Sequence, residues 1–206
     1  MALLEKHNTL LLGIWKIEES EKELLSKLSR QDAYSEFIEN CKAGSRRMEW
    51  LATRVLLKEL LGEELEIAHF PDGAPYLPAR PNLSISISHT KGFIAIYCKE
   101  NEATGIDIEY YSTRVLKIKE KFMSEEELKM IDPSLETDTL LVCWCAKETL
   151  FKLIRQEEVD FRSQLHIRPF VCENQGKITV QETKTPQQAV YELNYRVTPD
   201  FVLTFN

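Results

Sequence analysis

The sequence has no surplus of positive charge and no long apolar run. Its 206 residues carry 26 lysines and arginines against 33 aspartates and glutamates, a formal net charge of −7. A chain this acidic does not provide the dominant positive field that general nucleic-acid binding requires. No stretch is apolar for long enough to span a bilayer, and residues 1–15 lack the basic region and cleavage site of a signal peptide. We therefore expect a cytoplasmic protein.

Paired cysteine motifs are also missing. The five cysteines are an odd number and have no CxxC spacing: Cys41, Cys98, Cys143, Cys145 and Cys172. This pattern disfavours both a disulfide framework and a structural zinc site. We expect reduced thiols in the core of the protein.

Helices followed by strands occur twice along the chain. Capping-box pairs at Ser20/Glu23 and Ser124/Glu127 predict helix starts, and Gly62 predicts a helix end. In residues 1–103 we predict a strand at 10–17, helices from 20, at 33–42 and at 46–61, an irregular connection at 71–81, and a hairpin at 83–88 and 93–99. In residues 104–206 we predict a strand at 105–109, helices at 124–130 and 138–156, and strands at 164–172, 177–182, 190–197 and 201–205. This order indicates two α+β halves of about a hundred residues each.

Two carboxylates in the predicted strand at 105–109 are candidate metal ligands. Alternation along a strand places Asp107 and Glu109 on the same face, roughly 7 Å apart. Like charges at this separation repel unless a cation lies between them, and carboxylate oxygens suit magnesium. The alternative is a half-exposed edge strand with a polar outer face.

A second pair of charges lies inside an otherwise apolar predicted helix. Glu148 and Lys152 are four residues apart and therefore share one helix face. Because unpaired buried charges are costly, they must face water, each other or a bound ion. An exposed ion pair between these two residues is the alternative.

Two further places carry groups suited to binding phosphate. Ser88 and His89 close a strand with hydroxyl and imidazole donors, and Arg54 lies in a largely apolar helix. The alternatives are a hydrogen-bonded histidine at a strand end and a surface arginine whose stem lies along its helix.

The order of these features is more specific than any one of them. An arginine helix, a Gly-x-Pro loop, the SxSHT segment, GIDIE and WCAKETLFK follow one another along the chain. The whole sequence resembles the phosphopantetheinyl transferase superfamily, specifically its long, surfactin-synthetase-activating type. The family motif G-(I/V)-D-x-E is matched by Gly105–Glu109. The motif W-x-x-K-E-(A/S)-x-x-K is matched by Trp144, Lys147, Glu148 and Lys152.

The resemblance implies a monomer of two similar α+β halves, related by a pseudo-two-fold, with the active site in the cleft between them. Residues 1–103 would contact the phosphates of coenzyme A, and residues 104–206 would carry the magnesium site and the catalytic helix. The implied reaction transfers the 4'-phosphopantetheine group of coenzyme A to a serine of an acyl or peptidyl carrier protein, releasing 3',5'-ADP. Magnesium is the implied cofactor.

The resemblance also implies roles for individual residues. Asp107, Glu109 and Glu148 would coordinate magnesium, and Lys152 would contact the coenzyme A pyrophosphate. The phosphates would be held in part by Arg54, Ser88 and His89. Glu148 is in addition the candidate general base.

The sequence departs from the family pattern at two positions. The Gly-Lys-Pro loop of the family reads Gly73-Ala74-Pro75 here, so a nucleotide-contacting lysine is missing, and Thr149 stands where a smaller residue is usual. Either another basic residue substitutes for the lysine, or the nucleotide is held less tightly. The missing lysine favours one alternative function, a carrier-binding module without transferase activity. A different magnesium-dependent phosphoryl-transfer enzyme is the other alternative.

A local basic cluster, residues 113–123, is the candidate surface for an acidic carrier protein. Arg114, Lys117, Lys119 and Lys121 are opposed in this segment only by Glu120. Apolar side chains interleave with the basic ones and are candidates for an apolar contact with a helix of the carrier: Val115, Leu116, Ile118, Phe122 and Met123. The alternative is an ordinary solvated face.

Overall fold

A computed structural model of the chain describes residues 3–6 and 10–206. These residues form helices and antiparallel sheets, so the protein belongs to the α+β class, as predicted. The chain divides into two compact units, Met1–Ala103 and Thr104–Asn206. In each unit one long helix packs on an antiparallel sheet. Within the described parts of the chain, no helix has the length and apolar character needed to cross a membrane.

The first unit has a four-stranded sheet in the order β1-β2-β6-β5 and a separate two-stranded ribbon, β3-β4. Its strands are β1 (Leu3–Lys6), β2 (Leu11–Lys16), β3 (Ala68–His69), β4 (Pro75–Tyr76), β5 (Leu83–Thr90) and β6 (Phe93–Glu100). Its helices are α1 (Glu21–Ser26), α2 (Gln31–Asn40) and α3 (Gly44–Leu61).

Local signals fix most of these boundaries. The Ser20/Glu23 capping box is formed at the start of α1, and α3 ends at Gly62, whose φ of 76° is in the left-handed region. The buried face of α3 packs on β2 and β6. Two expectations were incomplete, because β1 was not predicted and the connection at 71–81 contains β4, which pairs with β3.

The second unit has a five-stranded sheet in the order β7-β11-β10-β9-β8. Its strands are β7 (Ile106–Tyr110), β8 (Leu165–Ile167), β9 (Gln175–Glu182), β10 (Val190–Val197) and β11 (Phe201–Phe205). Its helices are α4 (Lys119–Phe122), α5 (Glu125–Lys129), α6 (Glu136–Ile154) and α7 (Phe161–Gln164), with 3-10 turns at Thr113–Lys117 and Pro133–Leu135.

Three further predictions, two for this unit and one for the cysteines of the whole chain, can be compared with the structure. The Ser124/Glu127 capping box starts α5, as predicted. The strand expected at 164–172 is only Leu165–Ile167, because Gln164 completes α7. All five cysteines are free thiols, but Cys41 and Cys172 are half-buried, so the expectation of core thiols is wrong for those two.

Candidate functional site: the face between α6 and β7

The two carboxylates of β7 lie on an edge strand that α6 covers. Strand β7 pairs only with β11 in the described sheet, and α6 packs against both strands. Asp107 is consequently buried, whereas Glu109 is half-buried. The alternative of a solvated outer face is therefore wrong for Asp107.

Gly105 lets α6 approach this strand closely. A Cβ atom at position 105 would lie 2.5 Å from the backbone carbonyl oxygen of Thr149, far inside contact distance. The Thr149 hydroxyl, buried beside it, lies 3.1 Å from the carbonyl oxygen of Thr204 and 2.5 Å from the Thr204 hydroxyl. Threonine at position 149 thus ties α6 to β11, which accounts physically for the departure from a smaller residue.

Two side chains of α6, eight residues apart, reach the two carboxylates. The Lys152 ammonium group donates to Asp107 Oδ1 at 2.7 Å and to the carbonyl oxygen of Ile106 at 2.9 Å. The Trp144 indole N–H donates to Glu109 Oε1 at 3.1 Å. The alternative of an exposed ion pair between Glu148 and Lys152 is wrong, since Lys152 is engaged with the strand.

Glu148 lies on α6 one turn from each of these donors and is half-buried. Burial is the largest cause that raises its pKa, the charge of Asp107 adds to it, Lys152 opposes it, and Glu109 contributes further. The resulting pKa of Glu148 is about 7. Asp107 and Glu109 therefore both act electrostatically on Glu148.

These carboxylates suit magnesium by the type of ligand atom that they offer. Three hard oxygen-donating side chains in mutual repulsion are the kind of set that a magnesium ion stabilises. As the side chains stand, however, no group of three or more His, Cys, Asp or Glu residues in the described ranges is arranged to hold a metal ion. The residues present fit the ion chemically, and their roles as ligands remain predictions.

Lys147 lies on α6 next to Glu148, and the sequence did not reveal its structural role. Its side chain is 0% exposed and its ammonium group has three acceptors: the carbonyl oxygens of Phe122 at 2.7 Å and Phe161 at 3.0 Å, and Glu127 Oε2 at 2.9 Å. Burial lowers the pKa of Lys147, and Glu127 opposes that change. Glu127 Oε1 also accepts from the Ile167 amide at 2.7 Å. Lys147 therefore fixes α6 to three other segments of the unit.

Two of the three phosphate-binding candidates of the first unit line a cavity of about 440 Å³. Arg54 and His89 line it, together with Arg46, His69 and the glycine of the Gly73-Ala74-Pro75 loop. The Arg54 guanidinium lies 3.1 Å from the centroid of the Trp50 ring and donates to the Trp50 carbonyl oxygen at 3.0 Å. Burial lowers the pKa of Arg54 to about 9, which leaves it charged at neutral pH.

Ser88 and His89 do not point toward the same phosphate-binding surface. Neighbouring residues of a strand point to opposite faces, and accordingly Ser88 is buried while His89 is exposed. His89 Nδ1 lies 3.6 Å from Glu49 Oε2, another lining residue of the cavity. Ser88 is not among the residues that line this cavity, so its predicted phosphate contact stays a prediction.

The segment 113–123 differs from the expectation in two ways. Val115, Phe122 and Met123 belong to the buried core of the second unit, so the prediction that they contact a partner is wrong. Lys119 is half-buried and paired with Glu136 at 2.6 Å. The remaining basic side chains are exposed: Arg114, Lys117 and Lys121.

A face of carboxylates with one fixed ammonium group is typical of proteins that bind metal–phosphate groups. Residues 103–205, half of the chain, match the model of the 4'-phosphopantetheinyl transferase superfamily, and the chain belongs to this family. It is 32% identical over 83 residues to a 4'-phosphopantetheinyl transferase of Bacillus subtilis, a stretch that covers 39% of this chain and 37% of that protein. It is also 32% identical over 90 residues to 4'-phosphopantetheinyl transferase AcpT of Salmonella typhi, covering 44% of this chain and 47% of the relative. The matched stretches thus span less than half the length of either relative.

Proposed function

We propose that the protein transfers the 4'-phosphopantetheine group of coenzyme A to a serine of an acyl or peptidyl carrier protein. The observation that carries this proposal is the coupled set of Asp107, Glu109, Glu148 and Lys152 on the face between α6 and β7. It lies within the part of the chain that matches the family. In the proposed reaction the serine oxygen bonds to the β-phosphorus, the pyrophosphate P–O bond breaks, and 3',5'-ADP leaves.

The carboxylates Asp107, Glu109 and Glu148 would hold magnesium at this face. The chemistry that a bound magnesium ion supplies is neutralisation of the charge that grows on the departing 3',5'-ADP. Lys152 provides a fixed positive contact to the pyrophosphate. Glu148, beside Lys152 on α6, receives the serine proton directly or through a water molecule; as a magnesium ligand it is a weaker base.

The first unit would bind the nucleotide end of coenzyme A. Arg54 and His89 line a cavity that also carries Arg46 and His69, so basic groups are present although the loop has Ala74 in place of lysine. Guanidinium and imidazole groups are suitable phosphate donors. We propose that Arg46 or His69 compensates for the missing lysine.

The exposed basic side chains of segment 113–123 would meet the carrier protein. Arg114, Lys117 and Lys121 form a positive surface on a protein of net charge −7. Attraction between exposed charges mainly accelerates association with an oppositely charged partner. An acidic carrier protein is the partner that this surface fits.

The test is incubation of the protein with coenzyme A, magnesium and several apo carrier proteins, followed by intact-mass measurement. We expect at least one carrier to gain the mass of one phosphopantetheine group, with no gain when EDTA replaces magnesium. Asp107→Asn is the matched variant, because it removes one charge with little change of shape, and it should not transfer. Carriers that stay unmodified, in a protein that also fails to bind coenzyme A, would overturn the proposal and favour the carrier-binding module, which predicts no coenzyme A binding.

A further inference from the structure

Trp144 contacts one of the proposed magnesium ligands directly. Its indole N–H donates to Glu109 Oε1 at 3.1 Å, across 35 residues of sequence. The ring is held from two sides, with its centroid 5.0 Å from that of Phe122 and 5.8 Å from that of Phe161. An indole held in this way presents its N–H in a defined direction.

The two carboxylates of β7 thus receive different donors from α6. Asp107 accepts from the Lys152 ammonium group, which carries a full positive charge. Glu109 accepts from an indole, which is neutral and can only donate. A neutral donor orients a carboxylate without placing a positive charge beside it.

We propose that Trp144 is a positioning residue of the magnesium site, which holds the Glu109 carboxylate in the orientation that binds the ion. This inference rests on the proposed function, because it requires Glu109 to be a ligand. Hydrogen bonds to ligand carboxylates commonly determine metal affinity, and their loss typically costs about 10- to 100-fold. The alternative is that Trp144 only fills space in the aromatic cluster with Phe122 and Phe161.

Trp144→Phe separates the two, because phenylalanine keeps an aromatic ring in the cluster and removes the N–H. We expect the affinity for magnesium chloride, measured by calorimetry on coenzyme A-saturated protein, to fall about 10- to 100-fold. The magnesium concentration for half-maximal transfer should rise equally, while kcat at saturating magnesium changes little. Unchanged magnesium affinity in a folded Trp144→Phe protein would overturn the inference.

Trp15→Phe is the matched control in the first unit. Trp15 also donates its indole N–H to a carboxylate, Glu19 Oε2, at 3.3 Å. Its replacement removes the same kind of bond and the same ring volume, and it should leave magnesium affinity unchanged. An equal loss in Trp15→Phe would show that the effect of Trp144→Phe is not specific to the site.

A double-mutant cycle tests whether Trp144 acts through Glu109. Glu109→Gln removes the charge of the ligand, so adding Trp144→Phe to it should produce no further loss of magnesium affinity. Independent, multiplicative losses would show that Trp144 acts by another route and would contradict the inference.

A measurement on the wild-type protein does not depend on whether a Trp144 variant folds. The three tryptophans give three indole N–H signals in a ¹⁵N–¹H NMR spectrum, and Trp15→Phe and Trp50→Phe assign the third to Trp144 by elimination. We expect the Trp144 signal to shift as magnesium chloride is added, and the Trp15 signal to stay. If the Trp144 signal stays while calorimetry records magnesium binding, the role of Trp144 is overturned and the proposed function is not. If the wild-type protein binds no magnesium, the proposed function is overturned.

Discussion

The two lysines of α6 lie five residues apart and have opposite relations to their surroundings. Lys147 is 0% exposed, and fixed acceptors from three segments surround its ammonium group. Lys152 is 27% exposed, and it reaches the buried carboxylate of Asp107 from a partly open side. One helix therefore carries a lysine that fixes the fold and a lysine that remains accessible to a ligand. Charge within an apolar helix does not by itself distinguish the two lysines, whereas the exposure of their side chains does.

The largest effect should follow from removing Lys147. Lys147→Met leaves Glu127 buried without its cation, and breaking such a pair typically costs about 3–5 kcal/mol. We expect a loss of this size in the free energy of unfolding, measured by urea denaturation. Lys147→Met/Glu127→Gln is the informative control, since glutamine removes the uncompensated charge and keeps an acceptor for the Ile167 amide, and it should recover part of the loss. A single variant as stable as the wild type would show that the Lys147 network does not stabilise the fold.

Replacing the other lysine of α6, Lys152, by methionine should affect binding and catalysis rather than stability. Lys152→Met should lower kcat/KM. The corresponding loss of transition-state stabilisation should be about 1.5–3 kcal/mol, the usual range for hydrogen bonds to charged groups. The fall should include kcat, because leaving-group charge is largest in the transition state. Steady-state kinetics together with urea denaturation measure both effects. A larger loss of stability than in Lys147→Met would reverse the comparison.

The close contact of α6 with β7 provides a third test. Gly105→Ala places a Cβ atom 2.5 Å from a backbone oxygen that cannot move aside easily, and such overpacking typically costs about 1–3 kcal/mol. We expect reduced stability and reduced activity together, because Lys152 shifts relative to Asp107. Gly44→Ala is the matched control, since the only atom near its Cβ would be a guanidinium nitrogen of Arg47, 4.0 Å away. Equal losses in both variants would show that the α6 contact is not special.

Charges outside the helix should have the smallest effect. Reversing Lys117 and Lys121 to glutamate should raise KM for the carrier protein and flatten its dependence on salt, at about 1 kcal/mol or less per charge. Lys119 is left unchanged because it pairs with Glu136. Kinetics at several ionic strengths measure the effect, with the exposed pair Lys22→Glu/Lys27→Glu as control. Loss of coenzyme A affinity with unchanged carrier KM would assign the segment to the nucleotide site.

Local sequence signals predicted most of the fold. The capping boxes at Ser20 and Ser124 and the glycine after α3 are satisfied within a few residues, so no distant partner is needed to recognise them. The two-residue strands β3 and β4 depend on pairing with each other rather than on local pattern, and they were missed. The burial of Val115, Phe122 and Met123 was missed because it depends on contacts with distant elements.

The candidate site was predictable in its members and not in its connections. Strand and helix periodicity placed Asp107 with Glu109 and Glu148 with Lys152. The periodicity did not show that Lys152 bonds to Asp107 or that Trp144 bonds to Glu109, because these pairs join residues 45 and 35 positions apart. The sequence marks Lys147 only as part of a motif, because its acceptors come from distant segments of the chain.

Calorimetric binding of coenzyme A with and without magnesium tests the central claim most directly. If the face between α6 and β7 holds a magnesium–pyrophosphate group, magnesium strengthens coenzyme A binding to the wild type. Asp107→Asn should abolish that strengthening, and Lys147→Met/Glu127→Gln should preserve it. Equal coenzyme A affinity in magnesium and in EDTA would contradict the account.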